Sequence, residues 1–502
     1  MPTTRLTKSS LKLDCFLIGF ILLISYFTYV HNYSNPQGFF WDENFYIPNA
    51  QKYLTGTFFA HAHPPLGQIL IALGEKLVRA NAINNQFLNS DYAQHLPTGF
   101  SFTGYRLIPV LLAWFTAPLI FGIFLLLTKS HVFAALLSCL YIFDNALIVH
   151  LRGAMLEGPL LFFTALTILL FLLLPEWKQR PRCFIYGSIL FGICFGLLVT
   201  TKPTGFILLL LFPALCLRLL PDWNKCLISI SLAAFGFCLI FVAVWQVHFA
   251  LVYRINPALP NNGYYQISAE YKQILAEKRN GSLLAFPVML RDSLKYAADY
   301  NKNVPRLNLC KPEENGSPAF FWPFGARAIN YRWETADGKS YKYLYLQSNP
   351  VVWAMGLVGV FLASCLLLAS LLLPLREQLQ HRLLLATFLV LYVGYMLAVS
   401  SINRVMYLYH YFPPLLFSFC LLALSFREIK TIGNWRLNES RKTIILLFLV
   451  ACIFVSYQFY RPLTYYKPLT DAAFRQRMIF PLWDLRCVKC DRNSPLVVPR
   501  QP

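Results

Sequence analysis

Residues 39–68 read FFWDENFYIPNAQKYLTGTFFAHAHPPLGQ and bring two adjacent acids, Asp42 and Glu43, close in sequence to His61 and His63. Neighbouring side chains diverge, by roughly 100° in a helix and to opposite faces in a strand. One acid can therefore face a substrate while the other holds the loop. A carboxylate beside an acceptor hydroxyl can serve as general base, a role worth about 10²–10⁴-fold in rate. The same acids suit the first turn of a helix, and the local sequence leaves base and helix start open. His61 and His63 could aim two imidazoles at one metal ion, yet no acidic or cysteine partner follows at ligand spacing. A turn held by Pro64 and Pro65, with His63 bonded to a neighbour or a phosphate, is the other reading.

Further charged groups stand at the ends of apolar runs: Arg106, Arg152 with Glu157, and Arg404 with His410. Such groups cost about 2.5–3.5 kcal/mol at a membrane helix centre, so each needs a partner or a task. Taken singly, each arginine could be an ion-paired, snorkelling residue. Taken together, Arg106 and Arg152 could grip a phosphate through bidentate guanidinium contacts. Cys487 and Cys490 form a lone Cys-x-x-Cys, which suits a local disulfide better than a zinc or redox site. The Asn-x-Ser matches at Asn280 and Asn315 matter only in a eukaryotic secretory pathway.

The elements that must position these groups are membrane helices. Of 502 residues, 57% are hydrophobic and 13% charged, with mean hydropathy +0.50, outside the range of ordinary soluble domains. About eleven apolar runs reach the roughly 20 residues a bilayer demands, at 14–30, 107–127, 132–150, 154–174, 184–200, 205–220, 227–250, 351–373, 383–400, 409–426 and 443–459. The first lacks a small-residue cleavage site and reads as a retained anchor. A formal charge of +21 would suggest nucleic acid in a soluble chain. Here many cations lie in short links between runs, where the positive-inside bias puts them, and no nucleic-acid partner is expected. That bias sets the N-terminus in the cytoplasm and places 31–104, 253–349 and the tail from about 460 outside. The stretches 44–54 and 65–78 read as amphipathic helices along the membrane surface. Residues 253–349, rich in aromatics and punctuated by Pro and Gly, read as irregular. No internal repeat supports an inverted-repeat transporter.

At this point the chain resembles the protein O-mannosyltransferases, polytopic glycosyltransferases of the GT-C class. The resemblance rests on WDENFY, GTFF and HPPLG, on RGAMLE, on FFWPFGARAINYRWETADGKSYKYLYLQSNPVVWAMGL and on NRVMYLYHYFPPLLF, in family order over nearly the full length. It implies an all-α polytopic GT-C fold: a transmembrane module at 1–250 whose 31–104 loop is catalytic, an outer region at 251–350, four helices at 351–460 and an outer tail at 461–502. It implies transfer of mannose from a polyprenyl-phosphate donor to Ser/Thr hydroxyls of secreted or membrane proteins. Asp42 would be the base and Glu43 would organise the site. Arg106 would hold the donor phosphate together with Arg152, and His63, Glu157, Arg404 and His410 would support the site. No metal or cofactor is obligatory, and dimerisation stays open. His61 and Glu157 depart from the family, where many members have Asp. The 253–349 segment is too short for the MIR domain of fungal and animal members, so the resemblance is to a bacterial member in the plasma membrane. A lipid or glycan acceptor is the alternative, against which His63-Pro64-Pro65 argues mildly, since the lipid-modifying relatives usually show Lys-Pro-Pro there. A transporter or scaffold is the alternative outside enzymes.

Overall fold

The computed structural model describes residues 8–257, 263–311, 314–373 and 378–488. Its helices are α1 (Lys8–Ser25), α2 (Glu43–Thr55), α3 (Leu66–Val78), α4 (Thr103–Thr128), α5 (His131–Ile142), α6 (Asn145–Leu151), α7 (Glu157–Leu173), α8 (Pro181–Thr201), α9 (Leu211–Leu219), α10 (Trp223–Leu251), α11 (Ala269–Ala276), α12 (Phe286–Asn303), α13 (Pro350–Leu372), α14 (Arg382–Ser400), α15 (Phe412–Glu428), α16 (Glu439–Thr464) and α17 (Asp471–Arg475). Among the described residues, eight helices are long and apolar enough to cross a membrane, and α5 with α6 makes one more if that pair, bent by 61°, is a single span. The two other sequence-predicted spans are the shorter apolar helices Glu157–Leu173 and Pro203–Leu219, which leaves about eleven crossings compatible with the fold. The chain is a multi-pass membrane protein.

Hydrogen bonds define the two ends of the bundle. At one, His131 meets Asp14, Arg427 donates to Leu127 O, and Arg218 donates to Phe171 O. At the other, Arg152 reaches the end of the first span and Lys202 reaches Glu157. All the sequence-predicted site residues belong to that second end. Between the ends, α8 and α10 approach closely because they meet through glycine: a Cβ on Gly192 would sit 1.8 Å from Ala233 O.

The bend between α5 and α6 has a chemical cause. Asp144 caps α6, accepting from Leu147 N at 2.8 Å, and its other oxygen accepts from Asn349 N at 3.2 Å and Trp353 Nε1 at 2.9 Å. Asn349 caps α13 and donates to Phe143 O and Ile453 O. The backbone groups freed by the bend are thus satisfied from the C-terminal half, as a low-dielectric setting requires.

Two expectations are corrected. Residues 253–349 are not wholly irregular: β1 (Ile329–Glu334) and β2 (Ser340–Leu346) form an antiparallel hairpin, and β5 (Pro468–Thr470), following the short β3 (Thr431–Ile432) and β4 (Trp435–Arg436) pair, adds to β2. Its turn is held by Asp337, which accepts from Lys339 N and Ser340 N, and Gly338 takes φ +65°. Tyr341, Tyr343 and Tyr345 alternate onto one buried face with Phe474 and Trp483, the period of two that a strand requires. Second, α2 is no surface helix. From Tyr46 to Tyr53 it is buried throughout, because its polar side chains have partners inside: Gln51 accepts from Phe87 N at 3.0 Å and donates to Tyr105 Oη at 3.1 Å. α3 fits the expectation better, burying Ile71 and Ala72 while Leu73, Leu77 and Val78 stay exposed.

Candidate active site

The loop that carries the two acids is clamped by two arginines. Arg106, near the start of α4, is fully buried. Its Nε and Nη2 donate to the two carboxylate oxygens of Glu43 at 2.7 and 2.8 Å. Nη1 donates to Ser34 O and Pro36 O, and Nη2 also to Gly38 O. Its guanidinium lies 4.3 Å from the Phe102 ring. Glu43 in turn accepts from Phe40 N at 3.2 Å and Ala154 N at 2.8 Å. Every N–H of this arginine is spent on the loop, so the expected phosphate-holding role of Arg106 does not fit its position. Arg152 likewise spends three of its five N–H groups on backbone, donating to Thr28 O, His31 O and Asn32 O, and lies 4.9 Å from the Tyr465 ring, so most of its donors are also turned to the end of the first span. Both shape the site from behind it.

Because Glu43 turns inward, Asp42 turns the other way, as adjacent positions at a helix start must. Asp42 is only partly buried, and its Oδ2 accepts from Tyr409 Oη at 3.4 Å. Burial pushes the Asp42 carboxyl up to about 6; the Glu157 charge adds to this, while Lys202 and His150 oppose it. Behind it runs a polar chain. Glu157 pairs with Lys202 at 2.5 Å and with His150 Nε2 at 2.8 Å, and His150 Nδ1 meets Tyr331 Oη at 2.6 Å. Tyr331, on β1, packs its ring on Trp41 at 5.2 Å, so the sheet buttresses the acid.

Next to this cluster opens a cavity of about 550 Å³ lined by His63, Lys202, Lys302, Arg306, Arg404 and His410, among others. Arg404 is tied through one N–H to Asn301 Oδ1 at 2.7 Å. The His410 ring stacks on Tyr409 at 4.5 Å and on Trp322 at 6.0 Å. Lys202 Nζ lies 5.2 Å from the Tyr409 ring, so Tyr409 stands between the acid and the cations. His63 Nδ1 is buried without a protein partner, and burial holds its ring neutral, well below the usual histidine range. His61 accepts at Nδ1 from Gln68 Nε2 at 2.7 Å and from His63 N at 3.1 Å, and burial lowers it to about 3. The two rings lie 5.4 Å apart, and among the described residues no group of three or more His, Cys, Asp or Glu could hold a metal ion.

The structure thus brings Asp42, Glu157 and His410 together around Tyr409, with His63 and Arg404 lining the adjoining cavity and Glu43, Arg106 and Arg152 as the frame. Sequence reasoning passed over Lys202, His150, Tyr331 and Tyr409. Lys202 was within reach of the same criterion that found the arginines, being a cation at the end of the apolar run 184–200. Tyr331 carried no such signal, since its place depends on a strand.

Two family models match the chain: residues 19–253 match the dolichyl-phosphate-mannose-protein mannosyltransferase family and residues 299–483 the C-terminal four-transmembrane region of protein O-mannosyltransferases. Among curated relatives, the Schizosaccharomyces pombe dolichyl-phosphate-mannose–protein mannosyltransferase 1 is 27% identical over 260 residues, 49% of this chain and 29% of that protein. The Danio rerio protein O-mannosyl-transferase 2 is 24% identical over 282 residues, 53% of this chain and 36% of that protein. The alignments therefore span about a third of those relatives' own length. Among solved structures, the Saccharomyces cerevisiae protein O-mannosyltransferase Pmt1-Pmt2 complex bound to the sugar donor superimposes with TM-score 0.78 at 13% identity, covering 96% of this chain and 94% of that one.

Proposed function

The chain belongs to the protein O-mannosyltransferase family, with its GT-C glycosyltransferase fold, and from that premise we propose that it transfers a mannosyl residue from a polyprenyl-phosphate sugar to Ser/Thr hydroxyls of translocated proteins. The observation that carries the reading is the pairing of Asp42, a partly exposed carboxylate hydrogen-bonded by Tyr409, with the cationic cavity on the other side of that tyrosine. In the proposed reaction the acceptor hydroxyl gives its proton to Asp42 as its oxygen attacks the anomeric carbon. The bond from that carbon to the phosphate oxygen breaks on the opposite face, which inverts the configuration, and the lipid phosphate leaves with the bonding electrons.

The departing phosphate needs positive charge placed in advance, which in a water-poor site is a large source of rate. Lys202 and Arg404 line the cavity and are assigned to it, with His63 as a further donor through a ring nitrogen that no protein group uses. Arg106 and Arg152 contribute by fixing the loop that aims Asp42. This reading routes no step through a metal. The Schizosaccharomyces pombe relative is named for a dolichyl-phosphate-mannose donor; a bacterial polyprenyl-phosphate donor, in the outer leaflet of the plasma membrane, belongs to the proposal, as does the orientation that the positive-inside bias gives.

The test is transfer of radiolabelled mannose from polyprenyl-phosphate-mannose to Ser/Thr peptides by the purified protein, alongside Asp42→Asn. The expected result is transfer by the wild type and a loss of about 10²–10⁴-fold in the variant. Transfer to extracted lipids or glycans but not to peptides would remove the protein acceptor and leave the chemistry. Full activity in Asp42→Asn would remove the base.

A further inference from the structure

Away from the acid, a second and larger cavity of about 980 Å³ opens between the C-terminal end of α3, the loop that follows it and the end of α10. It shares no lining residue with the cationic cavity beside Tyr409. Three cations line it, Lys76, Arg79 and Arg254, and all three are exposed. None of the three appears in an ion pair among the described residues, whereas Glu75, the acid on the same wall, is turned inward, accepting from Asn81 N at 2.9 Å and Asn81 Nδ2 at 3.1 Å. The guanidinium of Arg254 lies 5.3 Å from the Tyr253 ring, which holds it near the rim.

The same walls are greasy. Leu73, Ile83, Leu251 and Tyr253 line the cavity and are exposed, and Leu77 and Val78 continue the exposed apolar face of α3. Exposed apolar and cationic side chains on one short amphipathic helix mark a surface that lies at the boundary of headgroups and acyl chains. A basic pocket at that depth suits an anionic headgroup whose tails remain in the bilayer. We propose that this cavity is a binding site for an anionic glycerophospholipid of the surrounding membrane, with the phosphate held by Lys76, Arg79 and Arg254.

The occupant would join two parts of the chain. Lys76 and Arg79 end the α2–α3 segment that begins with Asp42 and contains His63, while Arg254 follows α10. The backbone already bridges them there: Phe58 N donates to Arg254 O at 2.7 Å, and Arg254 N donates to Gly56 O at 2.8 Å. A bound phosphate would add a charged tie across the same joint, so anionic lipid should steady the loop that carries the acid.

The experiment is native mass spectrometry of the full chain in nanodiscs of phosphatidylcholine containing a minor fraction of phosphatidylglycerol. It compares the wild type, a variant with Lys76→Gln, Arg79→Gln and Arg254→Gln, and a charge-matched variant with Lys278→Gln, Lys295→Gln and Lys467→Gln, all exposed elsewhere on the chain. The expected result is phosphatidylglycerol retained on the wild type and the charge-matched variant, with retention falling about fivefold for each cation removed from the cavity. Equal loss in the two variants would reduce the effect to general surface charge and overturn the proposal, as would unchanged retention in the cavity variant. Thermal unfolding in pure phosphatidylcholine should be the same for all three proteins, and a large drop in the cavity variant alone would assign the cations a structural role instead.

Discussion

Replacing Arg106 by Met separates the two roles open to this side chain. It is fully buried and donates to Glu43 through two N–H groups and to the carbonyls of Ser34, Pro36 and Gly38 through the others. Methionine fills part of the volume but leaves the Glu43 carboxylate with only the Phe40 and Ala154 amides. Removing one partner of a buried pair costs about 3–5 kcal/mol, and each carbonyl stranded without a donor adds about 1–3 kcal/mol where water cannot reach it. These terms do not add fully, yet a loss of at least about 4 kcal/mol is a large part of the 5–15 kcal/mol that holds typical domains together. The expected outcome is a thermal midpoint lower by several degrees in detergent. Pairing the change with Glu43→Gln should recover part of the loss, because the stranded charge is gone. Arg106→Lys should fall between, since an ammonium has three donors and none in a planar fork. An Arg106→Met protein with wild-type thermal stability and selectively lost donor binding would refute this reasoning and return Arg106 to the phosphate.

Lys202→Met should weaken donor binding and also destabilise the fold, because Glu157 keeps only His150; adding Glu157→Gln should restore the thermal midpoint without restoring donor binding, and recovery of both would remove Lys202 from the phosphate site. The Asp42 carboxyl is raised from 3.8 to about 6 in the fold, so its contribution to stability is fully present below pH about 4 and is lost as pH rises through about 6. Asp42→Asn should therefore unfold at a higher temperature than the wild type above pH 6 and gain nothing below pH 4, and a pH-independent difference would refute the shift. Wild-type transfer should rise with pH through about 6 as the base ionises, which a pH–rate profile reads directly. Gly56 ends α2 with φ +73°, and a Cβ there would lie 2.9 Å from the Tyr253 ring. Gly56→Ala should cost about 1–2 kcal/mol from the left-handed backbone alone, seen as a lower thermal midpoint, and a neutral result would refute that strain.

Much of this was legible because the bilayer punishes exceptions. Apolar runs announced the helices, and charged groups beside them announced the site end, since each needed a partner. The chemistry of Asp42 against Glu43 was legible as a divergence of neighbours, but which one faced inward was decided by Arg106, 63 residues away. The arginines misled for a related reason: residue type shows that a guanidinium needs acceptors and does not show that backbone carbonyls of the same loop supply them. The hairpin was written in the alternating tyrosines 341, 343 and 345 and the Asp337-Gly338 turn, and was hidden by the aromatic content around it. Its third strand comes from beyond α16, a pairing no local pattern contains. Cys487 is disulfide-bonded, and the Cys-x-x-Cys reading reaches past it to Cys490, which lies outside the described residues.

The knot at the bend of α5 and α6 bears on how the chain is made. Asp144 caps its own helix and is satisfied there in part, accepting from Leu147 N, but Asn349 N and Trp353 Nε1 arrive from 205 and 209 residues later. At about 5–20 residues per second, the ribosome needs roughly 10–40 s to deliver them. Through that interval a carboxylate at a broken helix waits within the first half of the protein, and the bend has no reason to hold its final angle. The nascent N-terminal half is therefore a client for the insertion machinery until α13 enters. Chains released before Asn349 and chains released after α13 is complete at Leu372 should differ sharply in their resistance to protease.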